Sequence, residues 1–349
     1  MSAALRIRVR GARTATLAVL AALGLGGCAV GGASATGGTD PAASCGPSVV
    51  RTGQAIEPVE PAPTPKLPVT VESADGRPVT VRSADRILAV NMYGSIAEIV
   101  FSLGLGDRVV GRDASTTFEA AADLPLVTTN GHDLSAEAVL RLDPTVVLLD
   151  AGIGPAGAVD QLRDSGIPVV LIGDQQTLPA IGEHITEVAA ALGVPEAGRA
   201  LKEQVGEQID AARAESAAGA EPLRIAFLYL RGTAGVYLIG GRGAGSDALI
   251  EAIGATDAGA AAGLAGFRPL TSEGMINAAP DVILVLTGGL ESVGGVDGLV
   301  RLPGVGQTPA GRNRRIVSAD DGALLTFGPR TGKTIRALAE AVHRPCGAR

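Results

Sequence analysis

One pattern of residues occurs twice in this chain, and it constrains the fold more than any other feature of the sequence. In each copy an acidic residue stands in the first turn of a predicted helix, where the helix dipole favours it, and a proline precedes a predicted buried strand. Every matched pair of positions has the same separation along the chain, which predicts two similar units. The two copies are Leu134-Ser-Ala-Glu137 with Pro144 and Val146, and Leu270-Thr-Ser-Glu273 with Pro280 and Val282.

Short apolar strands alternate with helical stretches from residue 86 onward. Runs of Val, Ile and Leu bounded by Gly or Pro are typical of strands that are buried on both faces of a parallel sheet. Strands that alternate with helices predict an α/β fold, here two similar α/β lobes with mostly parallel sheets. The predicted strands are Ile87–Val90, Val109–Gly111, Thr145–Asp150, Pro168–Ile172, Arg224–Leu230, Val236–Ile239, Asp281–Thr287 and Arg315–Ser318.

A single long helix is predicted between the two units. Apolar residues recur at helical spacing from Ala197 to Ala212, after a start marked by Gly193 and Pro195. A helix from Pro195 to Ser216 would join the lobes with little hinge motion, so a preformed cleft is expected between them. The predicted organisation is a signal peptide (1–27), a lipid-anchored flexible tether (28–68), an N-terminal lobe (69–172), a helical region with the inter-lobe helix (173–218) and a C-terminal lobe (219–349).

The segment 1–27 is predicted to be an export signal. Four arginines and no acid precede an apolar run of about fourteen residues, whereas a membrane span needs roughly twenty. Leu25-Gly-Gly-Cys28 resembles a bacterial lipobox, which implies cleavage before Cys28 and lipid attachment there; an ordinary signal peptide is the alternative. Loss of the four arginines changes the net charge from −7 to −11, so acyl chains would hold the protein at the outer face of the cytoplasmic membrane.

Two cysteines remain once Cys28 is lipidated. Cys45 lies near the start of the predicted folded part and Cys346 near its end. Disulfides persist in exported proteins, and an even pair predicts a bridge that ties the two ends together. Two free thiols are the alternative.

The composition argues against several classes of function. A net charge of −7 and 2% aromatic residues disfavour nucleic-acid binding, and three His and three Cys disfavour a metal-ion receptor. Gly328–Thr334 imitates a phosphate loop, but three residues separate its glycines where four are required, so no nucleotide is expected. No nucleophile elbow or acid–base pair stands out, which leaves an exported enzyme as the least favoured alternative.

Four segments resemble the helix-linked solute-binding proteins of metal-chelate ABC importers. Arg86–Glu98 matches their first strand and helix, and Ser102–Gly111 extends the match. Gly131–Glu137 and Arg231–Tyr237 resemble the haemin-binding branch of that family. The resemblance covers about residues 70–345. It implies a non-enzymatic lipoprotein that captures ferric haem between two lobes and delivers it to an ABC permease and its ATPase.

The resemblance and the positions in each half point to His132 and Tyr237 as the ligands of the haem iron. His132 precedes a helix of the first unit and Tyr237 lies in the equivalent half of the second, so one ligand from each lobe would sandwich a flat macrocycle. Imidazole nitrogen and phenolate oxygen both serve as axial ligands, and the hard phenolate favours ferric iron. Tyr229 is predicted to be a core residue, and His184 a structural one.

Haem carries two propionates, which arginine can bind with paired hydrogen bonds. The offset between the two copies of the repeat maps His132 onto Arg268, which is the first candidate. Members of the family often carry an arginine two residues after the ligand tyrosine; Ile239 stands there, so Arg242 is expected to substitute. The other candidates for the propionates and their surroundings are Arg231, Arg330 and Tyr93, the last of which is expected to line the cleft.

The resemblance also implies partners. Importers of this type dock through one acidic residue per lobe, here Glu98 and Glu251, the latter on a predicted helix Ser246–Ile253. A haem-donor protein is expected upstream, and the protein is expected to be a monomer. The alternative function is binding of a ferric siderophore or cobalamin with the same fold, which the few aromatic residues do not support.

Overall fold

The structure is a computed structural model and describes residues 46–129, 131–217 and 222–343. They form two α/β lobes with mostly parallel sheets, which confirms the predicted fold class. The part up to the end of the long helix contains β1 (Ser48–Val50), β2 (Val69–Glu72), β3 (Pro78–Val81), β4 (Ile87–Val90), α1 (Ser95–Ser102), β5 (Val109–Gly111), β6 (Thr128–Thr129), β7 (Asp133–Leu134), α2 (Ala136–Arg141), β8 (Val146–Leu149), α3 (Ala156–Asp164), β9 (Val169–Leu171), α4 (Leu178–Ala191) and α5 (Pro195–Ala217). The second lobe contains β10 (Arg224–Arg231), β11 (Val236–Ile239), α6 (Ser246–Ala252), β12 (Thr256–Asp257), α7 (Ala258–Ala261), β13 (Arg268–Pro269), α8 (Ser272–Ala278), β14 (Val282–Leu286), α9 (Thr287–Ser292), α10 (Gly295–Leu299), α11 (Pro309–Arg312), β15 (Ile316–Ala319), α12 (Asp321–Leu324) and α13 (Thr331–His343).

Each lobe has its own central sheet. The first sheet has the order β5-β4-β8-β9 with every pair parallel, and all residues of β4 and β8 are buried. The second has the order β1-β15-β14-β10-β11-β13, in which β12 also pairs with β10 and only β11 and β13 run antiparallel to their neighbours. All eight predicted strands of the two lobes are present, with ends within one residue of those predicted.

The repeat in the sequence is also a repeat of structure. The side chain of Ser135 caps α2 by accepting a hydrogen bond from a backbone N–H of its first turn, and Thr271 caps α8 in the same way. Each helix is followed by a non-glycine residue with a positive φ angle, 45° at Asp143 and 44° at Ala279. The two caps and the two turns have the same separation as the matched sequence positions, so the two lobes reuse one helix–turn–strand unit.

An arginine at the start of the first parallel strand of each lobe ties that strand to the repeated helix. Arg86 Nε donates to the backbone oxygen of Asp143 at 2.9 Å, and Arg224 Nη2 donates to that of Ala278 at 2.8 Å. These contacts satisfy carbonyl groups at the helix ends that have no partner within the helix. The two arginines therefore have equivalent structural roles in the two lobes.

The long helix α5 joins the lobes and packs against α4 of the first and α13 of the second. The backbone of Gln208 on α5 approaches Gly332 on α13 so closely that a Cβ at residue 332 would lie 3.0 Å from it. One hydrophobic cluster extends from the first lobe through α5 into the second. The buried residues that α5 contributes are Leu201, Val205, Ile209 and Ala212. No helix of the described residues is long and apolar enough to cross a membrane.

The flexible tether predicted over residues 28–68 is wrong for its second half. β1 pairs in parallel with β15 and so belongs to the sheet of the second lobe. The chain then crosses to the first lobe, where Val59 N–H donates to the Ser102 oxygen and Lys66 N–H to the Gly193 oxygen, both at 2.8 Å. The prolines keep this segment extended, and its apolar side chains pack on the core, which the proline count alone did not reveal. The segment 46–68 is therefore a strap across both lobes.

A buried ion pair also connects the lobes. Glu98 on α1 is 1% exposed in its side chain, and its Oε2 lies 2.8 Å from Nη2 of Arg330, which immediately precedes α13. Its Oε1 accepts the Arg330 N–H at 2.7 Å. The predicted docking role of Glu98 is therefore wrong, because a buried, paired carboxylate is not presented to a partner. The predicted propionate role of Arg330 is wrong for the same reason.

We expect Glu98→Ala to destabilise the protein by about 3 kcal/mol, because it leaves a buried guanidinium without its partner. The matched control is Glu137→Ala, which removes an equally short but exposed pair with Arg141, 2.8 Å long. The control should cost less than about 1 kcal/mol. Urea unfolding of both variants measures the difference, and equal losses would contradict the inter-lobe role.

One buried carboxylate of the second lobe is incompletely paired. Asp257 is the last residue of β12 and caps α7, where its Oδ1 accepts the Ala260 N–H at 2.6 Å. Its Oδ2 is buried and has no hydrogen-bond partner among the described residues. Burial raises the pKa of Asp257 from 3.8 to about 6, and the nearby charges of Asp247 and Glu251 act in the same direction.

The pKa of Asp257 predicts a pH-dependent stability. Because its folded pKa is raised, the native state binds more protons than the unfolded state between about pH 4 and 6, and stability falls as the pH rises through that window. The rise from 3.8 to about 6 corresponds to about 3 kcal/mol. Asp257→Asn keeps the cap oxygen and cannot ionise, so unfolding free energies of both proteins from pH 4 to 7 isolate the effect. A difference between them that does not change with pH would contradict it.

Candidate functional site

A cavity of about 560 Å³ lies between the lobes, at the carboxyl ends of their parallel strands. In the first lobe it is lined by the loops after β4 and β5 and by the turn between β6 and β7. In the second lobe it is lined by the ends of β10 and β14, by β11 and by the start of α12. Its volume is typical of small-molecule sites, and its position makes it the candidate ligand site.

The wall from the first lobe is organised by a buried carboxylate. Asp113 Oδ1 accepts the N–H groups of Ser115 and Thr116 at 2.8 and 2.7 Å, and its Oδ2 accepts the Asn91 N–H at 2.9 Å. Burial raises the pKa of Asp113, and these hydrogen bonds partly offset the rise. Ser115 Oγ in turn donates to the Met92 oxygen at 2.6 Å. The two loops that line the cavity are thereby joined through one side chain.

A second constraint on these loops comes from Gly94. It has a φ angle of +76°, and a Cβ at this position would lie 2.9 Å from the backbone oxygen of Ser115. Only glycine accepts both the backbone conformation and the close approach. The loop that carries Met92 and Tyr93 is therefore held in one place against the second loop.

His132 lies in the turn between β6 and β7 and lines the cavity. Gly131 before it has a φ angle of +92°, which allows the tight turn. The Nδ1 of His132 is buried and has no hydrogen-bond partner among the described residues. Buried polar atoms are normally paired, so this nitrogen is an exception, while the residue itself lines the cavity.

The wall from the second lobe is built around Tyr229 and Arg231. They are two residues apart on β10, so they share a face of the sheet and both line the cavity. The guanidinium carbon of Arg231 lies 4.5 Å from the centre of the Tyr229 ring, and the Phe267 ring lies 5.9 Å from that ring. A cation over an aromatic face is attractive, and it places positive charge beside the phenol.

Tyr237, predicted as the second iron ligand, is not among the residues lining this cavity. In the antiparallel pair of β10 and β11, Tyr237 stands opposite Leu230 and Leu238 opposite Tyr229. Opposed residues share a face, so Leu238 faces the cavity with Tyr229, while Tyr237 packs with Leu230 on the opposite face. The expectation that Tyr237 faces the cleft is therefore wrong, and Tyr229, predicted to be core, lines the cavity instead.

The sequence contained a signal for Tyr229. The arginine expected two residues after the ligand tyrosine is present in Tyr229-Leu-Arg231, at the end of the first strand of the second lobe. It was missed because the continuous apolar run around Tyr229 is typical of a fully buried strand. The side chain of Phe267, and Asp321 at the start of α12, were also missed, and no motif marks them.

Tyr93 lines the cavity from the loop after β4. Burial raises the pKa of the Tyr93 hydroxyl, and the nearby Asp150 and Tyr229 act in the same direction. Tyr93 is therefore suited to stay neutral and to donate a hydrogen bond at physiological pH.

The remaining predicted residues lie elsewhere. Arg268 is an exposed residue of β13 that pairs with Ile239, and Arg242 is exposed; neither is among the residues that line the cavity. Glu251 is exposed on α6 and borders a separate groove of about 480 Å³ beside α5. Cys28, Cys45 and Cys346 lie outside the described residues.

A model of the periplasmic binding protein family matches residues 90–323, and the chain belongs to that family. Among solved structures it is similar to the heme binding protein HmuT, with 38% identity and a TM-score of 0.83 over 88% of this chain and all (100%) of that one. HmuT has also been solved with a tyrosine, a histidine or an arginine replaced by alanine, and that tyrosine and arginine are two residues apart.

Two further relatives agree with this assignment. The periplasmic heme-binding protein RhuT from Roseiflexus sp. RS-1 is 44% identical, with a TM-score of 0.71 over 76% of this chain and 100% of RhuT. The ABC transporter substrate-binding lipoprotein YvrC of Bacillus subtilis, itself uncharacterised, is 24% identical over 283 residues, which are 80% of this chain and 87% of YvrC. Two of these three relatives are thus named for heme binding, and the third is named as a substrate-binding protein of an ABC transporter.

Proposed function

We propose that this protein is an extracytoplasmic substrate-binding protein that captures ferric haem between its lobes and delivers it to an ABC permease. The observation that carries the proposal is that His132 of one lobe and Tyr229, with Arg231, of the other line the same cavity. The similarity to HmuT and RhuT supports it, as does the tyrosine–arginine spacing of two residues shared with HmuT.

The two proposed ligands suit ferric iron. A neutral imidazole nitrogen and a phenolate oxygen are both axial ligands of haem, and residues from opposite walls can reach opposite faces of one macrocycle. The guanidinium carbon of Arg231 lies 4.5 Å from the centre of the Tyr229 ring, which places positive charge beside the oxygen that would face the iron.

The rest of the wall suits the porphyrin ring. Met92, Leu238 and Phe267 line the cavity with apolar surface that a flat macrocycle can cover. The hydroxyl of Tyr93 remains a neutral donor for a polar group on the ligand. The cavity is preformed, because α5, the strap and the Glu98–Arg330 pair connect the lobes.

Delivery of haem would require other proteins and the membrane. We propose docking to the permease through exposed acidic side chains, with Glu251 on α6 as the candidate of the second lobe, and release of haem driven by the ATPase of the importer. Lipid attachment at Cys28 would hold the protein at the membrane, in line with its lipoprotein relative. The protein would act as a monomeric receptor rather than as an enzyme, with a haem-donor protein upstream.

Cobalamin is the second candidate cargo. A vitamin B12-binding protein of Yersinia pestis is 24% identical over 132 residues, which are 38% of this chain and 46% of the relative. That match covers less of both proteins than the match to HmuT. A ferric siderophore is a further alternative for a cavity of this family.

Titration of ferric haemin into the chain from Ser44 onward tests the proposal. We expect one-to-one binding with a phenolate-to-iron charge-transfer band. Tyr229→Phe should abolish the band and weaken binding roughly tenfold or more, about 1.4 kcal/mol, because it removes one donor oxygen. His132→Ala should alter the Soret band and weaken binding.

Tyr237→Phe is the matched control, because it removes the same hydroxyl from the neighbouring strand on the opposite face of the sheet. Its spectrum and affinity should equal those of the parent protein. Loss of the band in Tyr237→Phe but not in Tyr229→Phe would contradict the assignment of the ligand. Binding of cobalamin without binding of haemin would overturn the proposed cargo.

We further propose the disulfide between Cys45 and Cys346. β1 begins three residues after Cys45, α13 ends three residues before Cys346, and these two elements contact each other. Closing so long a loop stabilises by about 6 kcal/mol in the entropic model. A thiol assay on the unfolded protein from Ser44 onward should detect no free thiol before reduction and two afterwards; two reactive thiols before reduction would contradict the bridge.

A further inference from the structure

Few positively charged side chains stand among the described residues that line the cavity. Of the described residues that line it, Arg231 and His132 carry the basic side chains. Arg242 and Arg268, expected to bind propionates, are exposed elsewhere, and Arg330 is paired with Glu98. Recognition of ligand carboxylates by arginine within the cavity therefore depends on Arg231 alone among the described lining residues.

Arg231 is already engaged on several sides. Its guanidinium stands over the Tyr229 ring, and its Nη1 donates to the backbone oxygen of Leu230 at 3.0 Å. Its Nη2 lies 3.7 Å from Oδ2 of Asp321. The contact with Tyr229 places the positive charge of Arg231 beside the phenol ring. The contact with Asp321 pairs that charge with a carboxylate of the protein.

Asp321 is itself held in place. It is the first residue of α12, and its Oδ1 accepts the Gly288 N–H of α9 at 2.9 Å. The other oxygen is left facing Arg231, and the residue lines the cavity. A ligand carboxylate that approached Arg231 would meet this negative charge, which repels it.

We infer that Asp321 is a positioning residue that reserves Arg231 for Tyr229 and keeps the ligand's carboxylates away from it. The inference rests on the proposed function and deepens it. The cavity then recognises the iron and the apolar faces of a ferric porphyrin, and not the carboxylates at its edge. The substrate class is ferric porphyrins whether or not their peripheral carboxylates are free.

Two other polar side chains of the lining, those of Ser115 and Tyr93, are consistent with this. The Ser115 hydroxyl donates its one hydrogen bond to the Met92 oxygen, so it has no hydrogen left to donate to a carboxylate. Tyr93 retains a neutral hydroxyl, which is one uncharged donor. Neither side chain replaces the paired hydrogen bonds of a free arginine.

The test compares ferric protoporphyrin with its dimethyl ester, in one solvent mixture, on the chain from Ser44 onward. The parent protein should bind the two within about threefold of each other, because no free cation favours the diacid. Asp321→Asn frees Arg231 and should raise the ratio of diacid affinity to diester affinity by about fivefold, because any change at Tyr229 affects both porphyrins equally and cancels in the ratio. Asp321→Glu should restore the parent ratio.

Glu203→Gln is the control, since it removes an equal charge from an exposed position on α5. It should leave both affinities unchanged. A parent preference of about tenfold or more for the diacid that Arg231→Ala abolishes would overturn the inference, because Arg231 would then bind a propionate. An unchanged ratio in Asp321→Asn would overturn it too. If the parent binds neither porphyrin, the proposed function itself fails, which is a separate outcome.

Discussion

The structure depends on the apolar packing of α5 between the two lobes. The same helix buries Leu201 and Val205 in a cluster that extends from the first sheet to the second, so the lobes do not have separate cores on this side. Burial of apolar surface is the main stabilising term in folding, and opening the lobes would expose part of it. The strap 46–68 and the buried Glu98–Arg330 pair restrain the same motion from other sides.

A preformed cavity favours binding of the ligand, but the contacts that hold the lobes together oppose its release. Little ordering is needed when the ligand arrives, which is the usual advantage of a preorganised site. The contacts that join the lobes would also have to break for the cavity to open wider. A partner that binds the open arrangement more tightly than the closed one could supply the free energy for that change.

The spacing of apolar residues, together with the glycines and prolines at the ends of elements, predicted the strands, the long helix and the repeat. These features depend on local residue patterns. Predicting which residues line the cavity required knowing which face of a strand each residue occupies. A shift of one residue along the strand reverses that face. Tyr237 and Tyr229 differ in this respect, and only the pairing of β10 with β11 distinguishes them. Glu98 was misjudged for a related reason: an acid in the first turn of a helix is usually exposed, and only its partner Arg330, far along the chain, explains its burial.

Comparing the two lobes distinguishes residues that the fold requires from residues that line the cavity. The helix caps, the positive-φ residues Asp143 and Ala279, and the strand-opening arginines have equivalents in both lobes, because each lobe must solve the same packing problem. The cavity residues do not follow that symmetry. Tyr93 and Arg231 stand at the same distance along the chain from the arginine that opens their lobe, and both face the cavity, but one is a neutral hydroxyl and the other a cation. The two lobes therefore share a scaffold but present different chemical groups to the cavity, so the site can make different contacts on its two sides.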